Sequence, residues 1–239
     1  VSGAAPLPVG IVQHVEWEGP GLLAGVLTAA GLATRTLWMV DGEAAPEPES
    51  LAGLVVLGGP MRATDVERYP SLAAEVDLLR AAVAVDLPVL GICLGHQLLG
   101  LALGGRLLTG RAPEVGVGPV SLATGSALGP EGESVDVVHW HRDQVSLPPG
   151  AQLLASSDAC DNQAFRRGTA WGLQFHVEVD RPMLRRWLGH PHMRHDVPAG
   201  ARVLEDFDRA QVGLARLADA ALGQLTRHAA RCARTKGSS

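Results

Sequence analysis

Short apolar runs recur through the first hundred residues, each closed by glycine, proline or a polar cluster. "VGIVQH" (9–14), "RTLWMV" (35–40), the start of "GLVVLGGPM" (53–61) and "PVLGI" (88–92) read as strands, the third ending at Gly58-Gly59-Pro60. Between them, Pro20 to Gly31 and Ser71 to Val85 carry the three-and-four spacing of amphipathic helices. Strands apolar throughout, alternating with helices, predict an α/β fold whose parallel sheet is covered on both faces. From Gly105 to Val179 the pattern changes to short strands divided by turns such as "ATGSALGPEGES" and "LPPG", which predicts an antiparallel half. Beyond Val179 a helix is expected over Arg181–Leu188, then a Pro/His-rich loop, then a long helix over about 201–231. In that helix Val203, Phe207, Ala210, Leu214, Leu217, Ala221 and Leu225 form one apolar stripe, expected to pack on its own domain. We therefore expect one domain over residues 1–180 and a C-terminal helical extension over 181–239 packed against it.

Composition narrows the function classes. Hydrophobic residues make up 46% of the 239 and charged residues 19%, which supports a packed core. A net charge of -5 lacks the basic field that holds phosphate backbones, so nucleic acid is not the expected partner. Cys93, Cys160 and Cys232 are widely spaced with no CxxC pair, which suits free thiols in a reducing compartment. No run is long enough to span a membrane, and the opening "VSGAAPLPVG" lacks the features of a signal peptide. A cytoplasmic protein acting on a small molecule is the expectation.

The stretch "PVLGICLGHQLLG" (88–100) places Cys93 between Gly91 and Gly95, where a strand turns sharply into a helix. Small residues two positions either side make room for such an elbow, and the helix dipole that begins at Leu94 favours thiolate over thiol. The N–H of Leu94 is placed to donate to an oxyanion. A second stretch, "AWGLQFHVEV" (170–179), alternates throughout: Trp171, Leu173, Phe175, Val177 and Val179 take one face of a predicted strand, and Gln174, His176 and Glu178 the other. Glu178 on the same side as His176 can fix the imidazole tautomer while the second ring nitrogen exchanges a proton with Cys93. Taken singly, Cys93 suits a buried core thiol as well as a nucleophile, and a histidine and a glutamate on one strand face suit a solvent-facing edge.

Together with "VLGGPM", "WHRDQVSLPPGA", "CDNQAF" and "GLQFHVE", in that order, these stretches resemble the class I, or triad-type, glutamine amidotransferases, in particular free-standing members similar to the amidotransferase domain of GMP synthase. The resemblance implies a flavodoxin-like sheet and a Cys-His-Glu triad that cleaves the γ-carboxamide of glutamine through a γ-glutamyl thioester. It makes Cys93 the nucleophile, His176 the general base and acid, and Glu178 its orienter. It assigns Gly59 and Leu94 to the oxyanion hole and Gln97, His141 and Asp143 to the substrate. Two departures stand out: Val177 where the family has proline, expected to face the apolar side, and Arg142 where it has a small residue, which bears on substrate identity.

No cofactor or metal is implied. Histidines 190, 192 and 195, and the pair His139 and His141, are read as solvated loop positions, and His96 as satisfying local polar groups. The chain carries no P-loop, so ammonia made here would pass to a separate synthetase. The alternatives are a self-sufficient γ-glutamyl amide or peptide hydrolase and a non-catalytic binding or regulatory module.

Overall fold

The computed structural model describes residues 6–236, so the first five residues of the opening stretch lie outside it. In chain order the elements are β1 (Val9–Val12), α1 (Leu22–Ala29), β2 (Thr34–Leu37), β3 (Gly53–Val56), α2 (Ser71–Ala84), β4 (Val89–Ile92) and α3 (Leu94–Ala102). There follow β5 (Leu107–Leu108), β6 (Glu114–Leu122), β7 (Ser134–His141), β8 (Gln144–Val145), β9 (Gln152–Ser156), β10 (Ala164–Arg167), β11 (Ala170–Leu173), α4 (Arg181–Gly189), α5 (Pro191–Arg194) and α6 (Val203–Lys236).

Nine strands form one sheet in the order β2-β1-β3-β4-β11-β10-β9-β6-β7. The first five of these run parallel, and β10, β9, β6 and β7 continue antiparallel. The period-2 alternation explains the layering. Along β1 and β3, Val9, Ile11 and Val55 face a core shared with α1, α4 and α6, while Val12, Leu54 and Val56 face a second core with α2 and α3. Both faces of the parallel half are thus covered, as its unbroken apolar runs require. Every member of the α6 stripe, from Val203 to Leu225, is buried, and the helix lies against β3, β6, β7, α1 and α4.

Two expected strands are shorter than their patterns. "RTLWMV" stays extended only to Leu37; Met39–Asp41 turns into a 3-10 helix closed by Gly42 at φ 92, a conformation glycine adopts without penalty. The regular part of "AWGLQFHVEV" ends at Leu173, where β4 runs out of pairing positions. In the following residues Gln174 N–H donates to Gln163 O at 2.8 Å, His176 N–H donates to Val138 O of β7 at 2.9 Å, and Glu178 O accepts from Leu22 N–H at 2.8 Å. The bridge to Val138 brings β7 beside the segment that follows β11.

Candidate functional site

In an open parallel sheet, the carboxyl ends of adjacent strands form the natural crevice. Here β1 delivers His14 and Glu18, β3 delivers Gly58 and Gly59, β4 delivers Cys93, and β11 leads to His176 and Glu178. Trp140 and His141 reach the same place from β7.

Cys93 sits at the elbow between β4 and α3 with φ 53 and ψ -103, a left-handed backbone that non-glycine residues avoid. The flanking glycines make the turn feasible: a Cβ on Gly91 would strike the Gly95 carbonyl, and one on Gly95 would strike the carbonyl of Val56. The sulfur is almost fully buried and lies 3.6 Å from Trp140 O. Neither Gly59 N–H nor Leu94 N–H has an acceptor among the described residues, and the two residues approach closely, since a Cβ on Gly59 would stand 3.0 Å from Leu94 Cδ2. Two free donors beside a sulfur suit a developing oxyanion.

His176 Nδ1 lies 2.7 Å from Glu178 Oε1, with both side chains buried, so the carboxylate fixes which nitrogen is free. Nε2 faces the Cys93 sulfur and has no nitrogen or oxygen partner among the described residues. Burial acts to lower the His176 pKa, but the charge of Glu178, the Cys93 sulfur and the hydrogen bonds to both outweigh it and hold the imidazole well above the ordinary histidine value. The edge of Trp187, from α4, packs on the ring with centroids 4.9 Å apart, and its own N–H donates to Trp17 O at 2.8 Å. The expected same-side placement of His176 and Glu178 is therefore present, although the segment that carries them is not a regular strand.

Gln97 and Asp143 also line the cleft, where Gln97 Nε2 donates to Asp143 O at 2.9 Å and to Gln174 Oε1 at 3.2 Å. Asp143 pairs with Arg62 at 2.9 Å, and Arg142 pairs with Asp196 across the cleft mouth. Val177 is fully buried in the apolar core, as its position in the alternation required.

The reading of His139 and His141 as solvated is corrected. Both are buried on β7, because β6 pairs there and sets Glu114 opposite His141. Glu114 Oε2 is 3.1 Å from His141 Nε2, and the carboxylate also accepts hydrogen bonds from Ser157 at 2.8 Å and Gln163 at 2.7 Å. Burial pushes His139 down to about 4, so it is uncharged at neutral pH; the charge of His141 acts the same way, and Glu114 opposes it. The ligand atoms of Glu114, His139 and His141 lie within 4.8 Å of one another, yet the carboxylate is already engaged by side-chain donors.

Of the histidines at 190, 192 and 195, His192 and His195 are exposed as expected, whereas His190 is half-buried. His190 stacks on Trp17 with centroids 4.0 Å apart, and His192, Met193 and His195 of the α5 region wall the cleft. His96 packs on Phe165 and stays neutral, since burial pushes it down to about 3 while the backbone of Gly172 and Asn162 acts in opposition.

Two residues carry no signal in the motif reading. His14 bridges Gly58 O at 2.9 Å and Glu75 at 2.8 Å on α2; burial acts to lower its pKa, and these partners raise it above the usual value. It clamps the loop that carries Gly59. Glu18 is buried yet lines the cleft beside Cys93 and Gly59. Its place just past the end of a central parallel strand is the signal that finds it.

Comparison with known proteins gives the family and the fold. The family model described as glutamine amidotransferase class-I matches residues 26–183. The glutamine amidotransferase-like protein YfeJ of Salmonella typhimurium is 34% identical over 179 residues, covering 71% of this chain and 75% of that one. A glutamine-hydrolyzing GMP synthase subunit of Methanobrevibacter smithii is 32% identical over 129 residues, 51% of this chain and 58% of its own length. Among solved structures, a glutamine amido transferase from Methylobacillus flagellatus superposes with a TM-score of 0.85 at 28% identity, over 94% of this chain and 96% of that one. A glutamine amidotransferase from Thermotoga maritima gives 0.80 at 28% identity, over 93% and 99%.

Proposed function

Because the chain belongs to the class-I glutamine amidotransferases, we propose that it hydrolyses the γ-carboxamide of glutamine, or of a γ-glutamyl amide, through a γ-glutamyl thioester on Cys93. His176 takes the thiol proton as the sulfur attacks the carbonyl carbon, and the Gly59 and Leu94 N–H groups receive the oxyanion. The same imidazole then gives its proton to the leaving nitrogen, which departs as ammonia or an amine. In the second half, His176 deprotonates a water that attacks the thioester, glutamate leaves, and the thiol is restored. Gln97, Asp143 and His141 hold the amino-acid end.

The observation that carries this reading is the buried Nδ1 to Glu178 contact of 2.7 Å, which leaves the other nitrogen free beside a sulfur held in strained backbone. A non-catalytic module has no need of either. For an ammonia product, relatives named as GMP synthase subunits support delivery to a separate synthetase. The cleft, about 540 Å³, supports a second reading in which the chain acts alone on a larger γ-glutamyl conjugate. The test is glutamate release by the purified chain from L-glutamine and from a panel of γ-glutamyl amides, with Cys93→Ala as control. Cysteine-dependent turnover is expected, and activity that survives in Cys93→Ala refutes the mechanism.

A further inference from the structure

Glu18 is the one carboxylate of the cleft that has been given no partner among the described residues. Asp143 is paired with Arg62 and Asp196 with Arg142. Glu18 is only 5% exposed, and the groups that face it are already committed. His14, from its own loop, spends both ring nitrogens on Gly58 O and Glu75. His176, from the segment after β11, holds Glu178 with Nδ1 and faces Cys93 with Nε2, while Glu178 itself repels a second anion. From β3, Gly58 offers no side chain. Its carboxyl, with no donor from the protein, lines the cleft and is open to a donor carried by a ligand.

Its position says which part of a ligand that is. A Cβ on Gly58 would collide with Glu18 Oε2 and stand 3.2 Å from His176 Cε1, so carboxyl and imidazole flank one spot. Gln97 and Asp143, which the mechanism assigns to the amino-acid end, are bonded to each other, to Gln174 and to Arg62, not to Glu18. Glu18 therefore borders the side on which His176 hands a proton to the leaving nitrogen. The same cleft is lined by His192 and His195 and has more room than glutamine, at about ten non-hydrogen atoms, fills.

We propose that Glu18 is a specificity-determining residue that receives a positively charged amine on the leaving side, making γ-glutamyl amides of diamines the substrate class of this site. The inference rests on the hydrolase reading and deepens its second form. A cation there supplies the missing partner, while an uncharged alkyl amide leaves the carboxyl as it is. The charge state agrees: burial, with Glu178, pushes the empty-site carboxyl up to about 7 against the pull of His176 and His14, and a bound cation draws it back toward the ionised form.

The test is calorimetric titration of the full-length Cys93→Ala chain, which cannot turn over, with the γ-glutamyl amide of 1,4-diaminobutane and with its uncharged isostere, the γ-glutamyl amide of pentylamine. We expect the charged amide to bind at least about ten-fold more tightly at pH 8, the scale of a close buried charge pair. The preference should shrink toward pH 5 and vanish in Cys93→Ala/Glu18→Gln. Equal binding of both amides by Cys93→Ala, failure to bind either, or a preference that survives Glu18→Gln overturns the proposal. The comparison within Cys93→Ala needs no Glu18 variant, so misfolding of the double variant does not decide it. If wild type releases glutamate from glutamine while Cys93→Ala binds both amides alike, hydrolysis stands and the amine assignment falls. If wild type hydrolyses nothing and Cys93→Ala binds nothing, both fall.

Discussion

Replacing Glu18 with glutamine should make the protein more stable, and only above a definite pH. The carboxyl titrates at about 7 in the folded chain against 4.5 as its ordinary value, because burial disfavours the anion. A raised folded pKa means that stability is fully present below about 4.5 and is lost as pH climbs to about 7, since the unfolded chain ionises first. At about 1.4 kcal/mol per pH unit of difference, the full loss is about 3 kcal/mol, and at pH 5 it is under about 1 kcal/mol. Glutamine has the shape of the protonated acid and no charge to lose. Glu18→Gln should therefore match wild type near pH 4.5 and exceed it by about 3 kcal/mol at pH 8, or roughly 6–12 °C in Tm for a chain of this size. Urea denaturation of both proteins at pH 5, 6, 7 and 8 measures the difference directly. A gap independent of pH, or a wild type more stable at pH 8, refutes the claim that an unpartnered carboxyl is held there.

Three further outcomes test other parts of the site. Glu178→Gln removes the charge that holds the His176 pKa up, so the imidazole titration followed by NMR at its Cε1–H should move down, with kcat falling by about 10³ or more; an unmoved titration contradicts the assigned pair. Gly95→Ala forces a methyl group against the Val56 carbonyl, a backbone clash that should cost at least about 3 kcal/mol and abolish activity, read by Tm and by glutamate release; an unchanged Tm counts against the elbow geometry. Iodoacetamide should label Cys93 well before Cys160, whose thiol burial pushes up to about 12, and peptide mass spectrometry reads the order; equal rates argue against a reactive elbow.

Patterns local in sequence were the ones that could be read. The placing of Gly91 and Gly95 either side of Cys93 specifies the elbow because steric room for a tight turn is settled within five residues. The alternation through 170–179 puts His176 and Glu178 on one side even though regular pairing stops at Leu173, since extended backbone alternates whether or not a neighbour completes the ladder. What stayed hidden depends on register between distant segments. Glu114 meets His141 only because β6 and β7 pair as they do, and Trp187 reaches His176 only because α4 folds back over the strand ends. The histidines at 139, 141 and 190 look like polar punctuation until distant segments close on them. Glu18 was legible in principle, as an acid just past a central parallel strand, but no motif marks it.

The left-handed backbone at Cys93 affects how inactive variants should be chosen. At φ 53 the main chain favours glycine, so holding cysteine there carries a conformational cost of about 1–3 kcal/mol. Alanine inherits that cost and keeps the elbow taut, which makes it a faithful stand-in when ligands are to be weighed without turnover. Glycine would relax the turn, yielding a sturdier protein whose cleft no longer reports on the working one. A search for thermostable variants that ignores activity should find that substitution early, and so discard the sulfur on which the proposed hydrolysis depends.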